Sequence, residues 1–218
     1  MKKVLRKRLK EDEFVSTLTK IFEFGKKRIK EISIGIGAVL VILLVVLISN
    51  VIKAQSVKKD SRLLAEILAI SDQLENDPGK LAELEALAGN GKFSRIGYLK
   101  LASYWIGQGD MEKAKSYLEQ MPDNRKDITY YQGMDMLAQI YIGNSEYDKA
   151  IAIYESIEEG DENDYPPDAV LFHKAEAYEG KGELDSALEL FKRVRDEYSQ
   201  TYYGMDASEK VTEIEAKK

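Results

Sequence analysis

The sequence has no cysteine and a single histidine, His173, among its 218 residues. The lack of cysteine excludes thiol catalysis and cysteine-ligated metal. His173 has no second histidine or cysteine with which to share a metal or form a nucleophile pair. We therefore interpret His173 as a packed or surface residue, and we predict a protein that is not an enzyme and holds no metal or cofactor.

The acidic segment at residues 161–164 (DEND) resembles the start of a calcium-binding loop. Pro166 and Pro167 interrupt that pattern, and its twelfth position is Phe172 instead of the glutamate that such a loop requires. A solvated loop between two helices is therefore the better interpretation of this segment.

Strand patterns are also missing, because no segment sustains the alternation of apolar and polar residues that is typical of a half-buried strand. Apolar residues instead recur at spacings of three and four, which is typical of amphipathic helices. Turn-forming residues interrupt this pattern at residues 77–79 (DPG), 89–91 (GNG), 121–123 (MPD) and 165–167 (YPP). The sequence therefore predicts an all-α fold.

Charge is absent from residues 32–52, which read ISIGIGAVLVILLVVLISNVI. A helix of this length, at about 1.5 Å per residue, spans the core of a bilayer. A cleaved signal peptide is the alternative. However, the charged region before the apolar stretch is long, and Ile52 and Lys53 directly before Ala54 make a poor cleavage site because such a site needs small residues. We therefore expect a retained transmembrane helix, followed by a short basic stalk at residues 53–60.

Charge is distributed unequally around the predicted span. Residues 1–31 carry 11 basic and 5 acidic side chains (11 − 5 = +6), whereas residues 61–218 carry 18 basic and 32 acidic ones (18 − 32 = −14). Because positively charged flanks stay in the cytoplasm, the N-terminus is predicted to lie inside and the acidic domain outside. The acidic domain also argues against nucleic acid as a partner, since phosphate binding needs a basic face.

Residues 1–31 contain the pattern of an amphipathic helix, with Phe14, Leu18, Ile21 and Phe22 on one face and several lysines nearby. We interpret this segment as a cytoplasmic leader that lies in the membrane interface. It adheres to lipid headgroups or recognises a membrane protein, and the sequence leaves both possibilities open.

Three segments of the acidic domain align with one another, and they begin at residues 101, 137 and 174. Each has small, aromatic, small and bulky residues in that order: Ala102, Trp105, Ala114 and Leu118; Ala138, Tyr141, Ala150 and Tyr154; Ala175, Tyr178, Ala187 and Phe191. Because two helices approach closely at alanines, each segment predicts a helical hairpin, and stacked hairpins form a solenoid. The turns within the hairpins are predicted at residues 109–110, 145–146 and 182–183.

This order of positions resembles the tetratricopeptide repeat. The resemblance is clear over residues 94–199, while residues 61–90 look like a degenerate hairpin before it and residues 203–216 like a capping helix after it. It implies that residues 61–218 fold as a tetratricopeptide-repeat-like α-solenoid.

The sequence departs from this pattern at two kinds of position. Lys174 stands where the repeat usually has leucine, and Lys126, Glu162 and Ser199 stand where a proline often ends the repeat. In the capping helix, Lys210, Glu213 and Glu215 are expected to point outward into solvent.

The layout of a basic leader, one span and an outward acidic repeat domain resembles the YfgM-like family of ancillary Sec translocon subunits. This implies a single-pass protein of the bacterial inner membrane, with the N-terminus in the cytoplasm and the repeat domain in the periplasm, that binds translocon subunits and periplasmic chaperones. The segment from Leu190 is also similar to the repeat ends of envelope-assembly proteins. A structural adaptor in cell-envelope assembly or division is therefore the alternative, and membrane lipid is an expected partner.

If the repeats curve as the resemblance implies, the first helix of each hairpin lines the concave face. The register then gives the candidate partner-binding residues: Ile96, Leu99, Ser103, Ile106, Gln132, Asp135, Gln139, Ile142, Ala169, Phe172, Glu176 and Glu179. This groove grades from apolar to acidic, so a guest with apolar and basic residues is expected. Some of these side chains, Leu99 and Phe172 especially, fit packing between repeats equally well.

Overall fold

The computed structural model describes residues 26–89, 91–124, 126–160 and 165–217, together with the single residues 15, 16, 19 and 22. These residues form helices and turns and no β-strand, which confirms the predicted fold class. The acidic segment at residues 161–164 and most of the predicted leader, including Phe14, Leu18 and Ile21, lie outside the described residues.

The helices follow one another along the chain with short connections. They are α1 (Ile29–Gln73), a 3₁₀ turn (Pro78–Lys80), α2 (Leu81–Ala88), α3 (Ser94–Gly107), α4 (Met111–Glu119), α5 (Ile128–Gly143), α6 (Tyr147–Glu158), α7 (Pro167–Lys181), α8 (Leu184–Glu197) and α9 (Tyr202–Lys217). The predicted breaks lie where one α-helix ends and the next begins; Pro78 and Gly79 belong to the 3₁₀ turn, and Pro167 is the first residue of α7. Proline begins both the 3₁₀ turn and α7, where its missing N–H is not needed.

The chain divides into two compact units, residues 1–59 and residues 60–218. In the first unit, α1 contains the apolar stretch without a break, and the residues predicted as a stalk, 53–60, are helical as well. Every bulky apolar side chain from Val39 to Ile52 exposes at least 49% of its surface. By length and composition α1 is compatible with a membrane span.

Each hairpin of the second unit turns at a residue with a left-handed backbone conformation, where φ is +77° at Gly109, +62° at Ser145 and +86° at Gly182. The amide of this residue donates to the carbonyl three residues earlier, and the next amide donates to the carbonyl five residues earlier. The same two hydrogen bonds recur at all three turns, which therefore coincide with the predicted positions.

Alanines occupy the contacts between paired helices, as the repeat pattern predicts. All six have no exposed surface: Ala102, Ala114, Ala138, Ala150, Ala175 and Ala187. The bulky positions of the second helices are buried too, with Leu118 2% exposed and Tyr154 and Phe191 0% exposed. Burial of each such large side chain contributes about 1.5–3 kcal/mol, so these positions carry much of the core.

Helices α2 to α9 pack in sequence, each against the next. The first helices of the hairpins also contact one another, α3 with α5, α5 with α7, and α7 with α9. A hairpin that contacts only its neighbours is the arrangement of an α-solenoid. It places the first helices side by side, so their uncovered residues form a continuous surface.

The beginning of the solenoid packs through an unusually close helix pair. A Cβ atom added at Gly97 of α3 would lie 2.7 Å from the Cβ of Ala88 on α2. The hydroxyl of Ser94 donates a hydrogen bond to the carbonyl of Ala88 at the same contact. Ile67 of α1 and Leu74, which directly follows α1, belong to the apolar cluster that also contains Ala88.

Candidate protein-binding face

The structure divides the candidate partner-binding residues by exposure. Leu99, Asp135, Ala169 and Phe172 are buried. The remaining candidates, which are exposed or half-buried and which we name the first-helix face, are Ile96, Ser103, Ile106, Gln132, Gln139, Ile142, Glu176 and Glu179. A partner can therefore meet the first-helix face directly, while the buried residues act through packing.

Asp135 of α5 is 7% exposed and is held by three donors. The hydroxyl of Tyr154 donates to Oδ1 at 3.0 Å, the hydroxyl of Tyr165 donates to Oδ2 at 2.8 Å, and the Gln139 amide donates to Oδ2 at 2.9 Å. A buried carboxylate needs such donors because its desolvation is costly. Asp135 thus links α5, α6 and the segment before α7 and does not project into the groove.

The tyrosines of this cluster are held in their neutral form. Burial, with the adjacent negative charge of Asp135 and its hydrogen bonds, raises the pKa of the Tyr154 hydroxyl far above its ordinary value. The same causes raise the pKa of Tyr165. Both hydroxyls therefore remain donors to Asp135 at neutral pH.

Phe172 of α7 packs inside the C-terminal core. Its ring lies edge-on to Phe191 at a centroid distance of 5.3 Å and tilted against Tyr203 at 5.1 Å. Phe191 belongs to α8 and Tyr203 to α9, so one side chain joins three helices. Packing between repeats is therefore the role that the geometry gives to Phe172.

His173 is half-buried beside this core. Its Nδ1 lies 2.8 Å from Oε2 of Glu176, and its Nε2 lies 3.2 Å from the hydroxyl of Tyr203. Its ring stacks near Tyr154 and meets Phe172 edge-on. These contacts make His173 a bridge between α7 and α9, in line with the packed residue that the sequence predicts.

An open cleft of about 460 Å³ lies between α7 and α9, and we name it the acidic cleft. Glu176 of α7 lines one wall, and Asp206, Glu209 and Glu213 of α9 line the other, together with the cationic side chain of Lys210. Tyr202, which is 67% exposed, lies at its edge. The cleft therefore combines several carboxylates with an accessible aromatic ring.

Lys210 corrects one expectation for the capping helix. Its ammonium lies 2.8 Å from Oε2 of Glu179 on α7, whereas the sequence predicts an outward side chain. Burial alone would lower the pKa of Lys210, but the hydrogen bond and charge of Glu179, together with the charges of Glu176 and Glu213, outweigh it and raise the pKa. The result is an ion pair between α9 and the last repeat, which forms because α9 packs against α7.

A second depression, of about 320 Å³, lies between α3 and α5, and we name it the apolar pocket. Ile106 of α3, Met111 of α4, and Met136 and Ile140 of α5 line it. Gln139 of the first-helix face lies at its rim. Thioether and branched side chains of this kind adapt to apolar guests of different shape.

The residues of α9 that face the acidic cleft are absent from the sequence-based candidates, because α9 was interpreted as a cap. The sequence does contain a signal for them. Asp206, Glu209 and Glu213 stand at i, i+3 and i+7, which places three carboxylates on one side of a helix. The sequence does not show that this side faces the groove, because that depends on how α9 packs against α7.

Comparisons with known proteins agree with this architecture. Residues 131–162 and residues 169–201 each match a family model described as tetratricopeptide repeat. A search of curated proteins finds no match. The chain is also similar to two crystal structures of nearly identical TPR-like repeats from a Podosopora anserina protein described as a kinesin light chain, one of them a single-residue variant.

Each of these two structures is 17% identical to the chain and covers 71% of it, and the match spans 85% of the solved chain, with TM-scores of 0.54 and 0.52. Identity at this level shows the fold alone. The chain thus contains tetratricopeptide-type repeats in an α-solenoid. Because such repeats present a continuous surface to other proteins, the fold is that of a protein-interaction scaffold.

Proposed function

We propose that the protein is a membrane-anchored scaffold whose repeat domain lies in the bacterial periplasm and binds other proteins through the first-helix face. The observation that carries this proposal is that the first-helix face changes from apolar to acidic along the solenoid. Its accessible side chains are apolar at Ile96, Ile106 and Ile142, and acidic at Glu176 and Glu179. A surface with both kinds of contact suits a partner segment that has apolar and basic residues.

The proposed anchor is the apolar part of α1. Its bulky side chains are exposed, and in water such a surface of several turns would drive aggregation, whereas in a bilayer it is satisfied by lipid. The proposed orientation depends on the sequence, since the basic residues 1–31 favour the cytoplasm and the acidic residues 61–218 follow on the opposite side.

Sidedness can be tested with protease on intact spheroplasts. We expect the repeat domain to be digested from outside, while a tag at the N-terminus stays protected until the cells are lysed. A repeat domain that resists protease before lysis and is digested after it would contradict the periplasmic assignment.

The proposed partners are subunits of the Sec translocon and periplasmic chaperones, on the strength of the resemblance in layout. Purification of the full chain from membranes in mild detergent tests this assignment. Translocon subunits are expected to remain bound. Retention of an envelope-assembly or division protein instead would favour the structural adaptor, and retention of no protein would contradict both.

The scaffold role requires no catalytic group. The His173 side chain is engaged by Glu176 and Tyr203, which gives it a positioning role in the solenoid. We expect His173→Gln to preserve partner binding wherever the protein remains folded. Loss of the cellular phenotype with folding and binding intact would contradict a purely non-catalytic role.

A further inference from the structure

The apolar pocket and the acidic cleft lie at different positions along the same row of helices. The apolar pocket lies between α3 and α5, and the acidic cleft lies between α7 and α9. Helices that pack together have axes about 8–10 Å apart, so two helix spacings separate the two sites by about 16–20 Å. An extended chain advances about 3.3 Å per residue and therefore covers this separation in about six residues.

We infer that the apolar pocket and the acidic cleft, which adjoin the first-helix face at Ile106, Gln139 and Glu176, are two subsites for one extended segment of a partner protein. An apolar side chain of this segment fills the apolar pocket, and an arginine or lysine about six residues away enters the acidic cleft. An even spacing places both side chains on the same side of an extended chain. This inference rests on the proposed function and specifies the chemistry of the partner.

The cationic subsite is supported by the groups that remain accessible in the acidic cleft. Glu209 and Glu213 project from α9 one turn apart and are exposed, whereas in the same cleft Glu176 contacts His173 and the Lys210 ammonium contacts Glu179. A guanidinium between the two α9 carboxylates gains charge-assisted hydrogen bonds. The exposed ring of Tyr202 adds a surface on which its planar group can stack.

Charge favours a basic segment of another protein over a second copy of this chain as the occupant of the acidic cleft. The repeat domain, residues 61–218, has 18 basic and 32 acidic side chains (18 − 32 = −14), so a second copy of the domain would meet this cleft with like charge. A basic segment of another protein is attracted to it instead. The apolar pocket adds an anchor whose contribution salt does not screen.

The extended conformation is supported by amides at the apolar pocket. Gln139 and Asn144 both line it, and their side-chain N–H groups donate to Asp135 and Glu112, respectively. Their carbonyl oxygens can accept from the backbone N–H groups of a bound segment. An extended chain has such donors to offer, whereas the backbone of a helix is already paired.

The test uses the full chain in detergent micelles and fluorescent peptides that contain one phenylalanine and one arginine in a Gly/Ser background. In one peptide the two side chains are about six residues apart, and in another about two. A third peptide keeps the longer spacing but has glutamine in place of arginine. Fluorescence anisotropy gives the dissociation constant of each.

We expect the longer Phe/Arg peptide to bind most tightly, and its affinity to fall as salt is added. Glu209→Gln and Glu213→Gln should each weaken it about two- to fivefold, and neither should affect the glutamine peptide. Met111→Ser should weaken all peptides through the lost phenylalanine contact. Glu189→Gln on α8 and Met205→Ser on α9 are matched controls outside both pockets and should have no effect.

Equal binding of the arginine and glutamine peptides, or equal binding at both spacings, would overturn the inference. The proposed function has a separate outcome. If membrane proteins co-purify with the chain but the peptides do not follow these rules, the two-subsite inference fails alone. If the peptides follow them but no protein co-purifies from membranes, the proposed function fails.

Discussion

Tyr154 on α6 donates a hydrogen bond of 3.0 Å to the carboxylate of Asp135 on α5, and the two side chains are 0% and 7% exposed. This pair lies within the second hairpin, between its two helices. It adds a polar contact to an otherwise apolar core. Its contribution can be measured directly.

Tyr154→Phe should lower the free energy of unfolding by about 1–2 kcal/mol, because it removes one donor from a buried carboxylate while two remain. The measurement is urea unfolding of the full chain in micelles, followed through Trp105, the single tryptophan. Tyr147→Phe is the control, since its hydroxyl makes an exposed contact of 3.4 Å with Ser145. Equal effects of the two substitutions would contradict the role of Asp135.

Ala150→Leu should lower the free energy of unfolding by about 1–3 kcal/mol, because extra methyl groups cannot fit in a close-packed helix contact. Ala150 is 0% exposed on α6. Ala152 is exposed on the same helix, so Ala152→Leu serves as a matched control and should change stability little. Unchanged urea unfolding of Ala150→Leu would show that the repeat register is wrong.

Gly182→Ala should destabilise the protein by about 1–2 kcal/mol, because φ is +86° there and an L side chain is strained in that conformation. Gly107→Ala should instead leave stability unchanged or raise it by up to about 1 kcal/mol, since Gly107 ends α3 in an ordinary helical conformation. A methyl group at either position meets no other atom within 4 Å. Effects of the same sign would therefore contradict the turn geometry.

Lys174→Leu should be tolerated within about 1 kcal/mol, or should stabilise the protein, although it removes an ion pair. The Lys174 ammonium lies 2.6 Å from Glu158, and its side chain is only 13% exposed. The matching position of the second repeat holds leucine, Leu137. Lys174→Ala should cost more than Lys174→Leu, since it also loses the packing of the aliphatic stem. The reverse order in urea unfolding would mean that charge, not packing, dominates at this site.

Stability should fall as the pH rises from 10 toward 12. Burial, together with hydrogen bonds to Glu85 and Glu119, raises the pKa of Tyr117 and Tyr141 from 10.0 to about 12. Because their folded pKa exceeds the unfolded value, the folded chain holds these protons more tightly. Their contribution is complete below pH 10 and disappears as the pH passes through the folded pKa. Tyr141→Phe should make the alkaline decline of the urea midpoint shallower, and an unchanged decline would contradict the assignment.

The repeat pattern predicts the helical hairpins well because its recurrent residues are determined by helix packing. The six alanines and the three turns can be found from sequence since each depends on contacts within one hairpin. The exposure of the groove residues depends on the neighbouring repeat instead. The sequence places Asp135 in the groove, whereas in the structure Tyr154 and Tyr165 bind its carboxylate. For Phe172 the sequence allows both groove and packing, and the contact with Tyr203 of α9 makes it a packing residue.

The part played by α9 is likewise a tertiary property. Its carboxylates acquire a common direction only when the helix packs against α7, and the pairing of Lys210 with Glu179 follows from that approach. Sequence spacing gives the side of α9 on which they lie but not the surface that they meet.

The most direct test of the scaffold assignment is site-specific photo-crosslinking in intact membranes. Ser103 belongs to the first-helix face, and Ala152 is an equally small exposed residue on the second helix of a hairpin. A crosslinker at residue 103 should trap one or a few distinct proteins, while the same crosslinker at residue 152 should trap none of them. Identical products at the two positions, or no product at residue 103, would contradict the binding of a partner through the first-helix face.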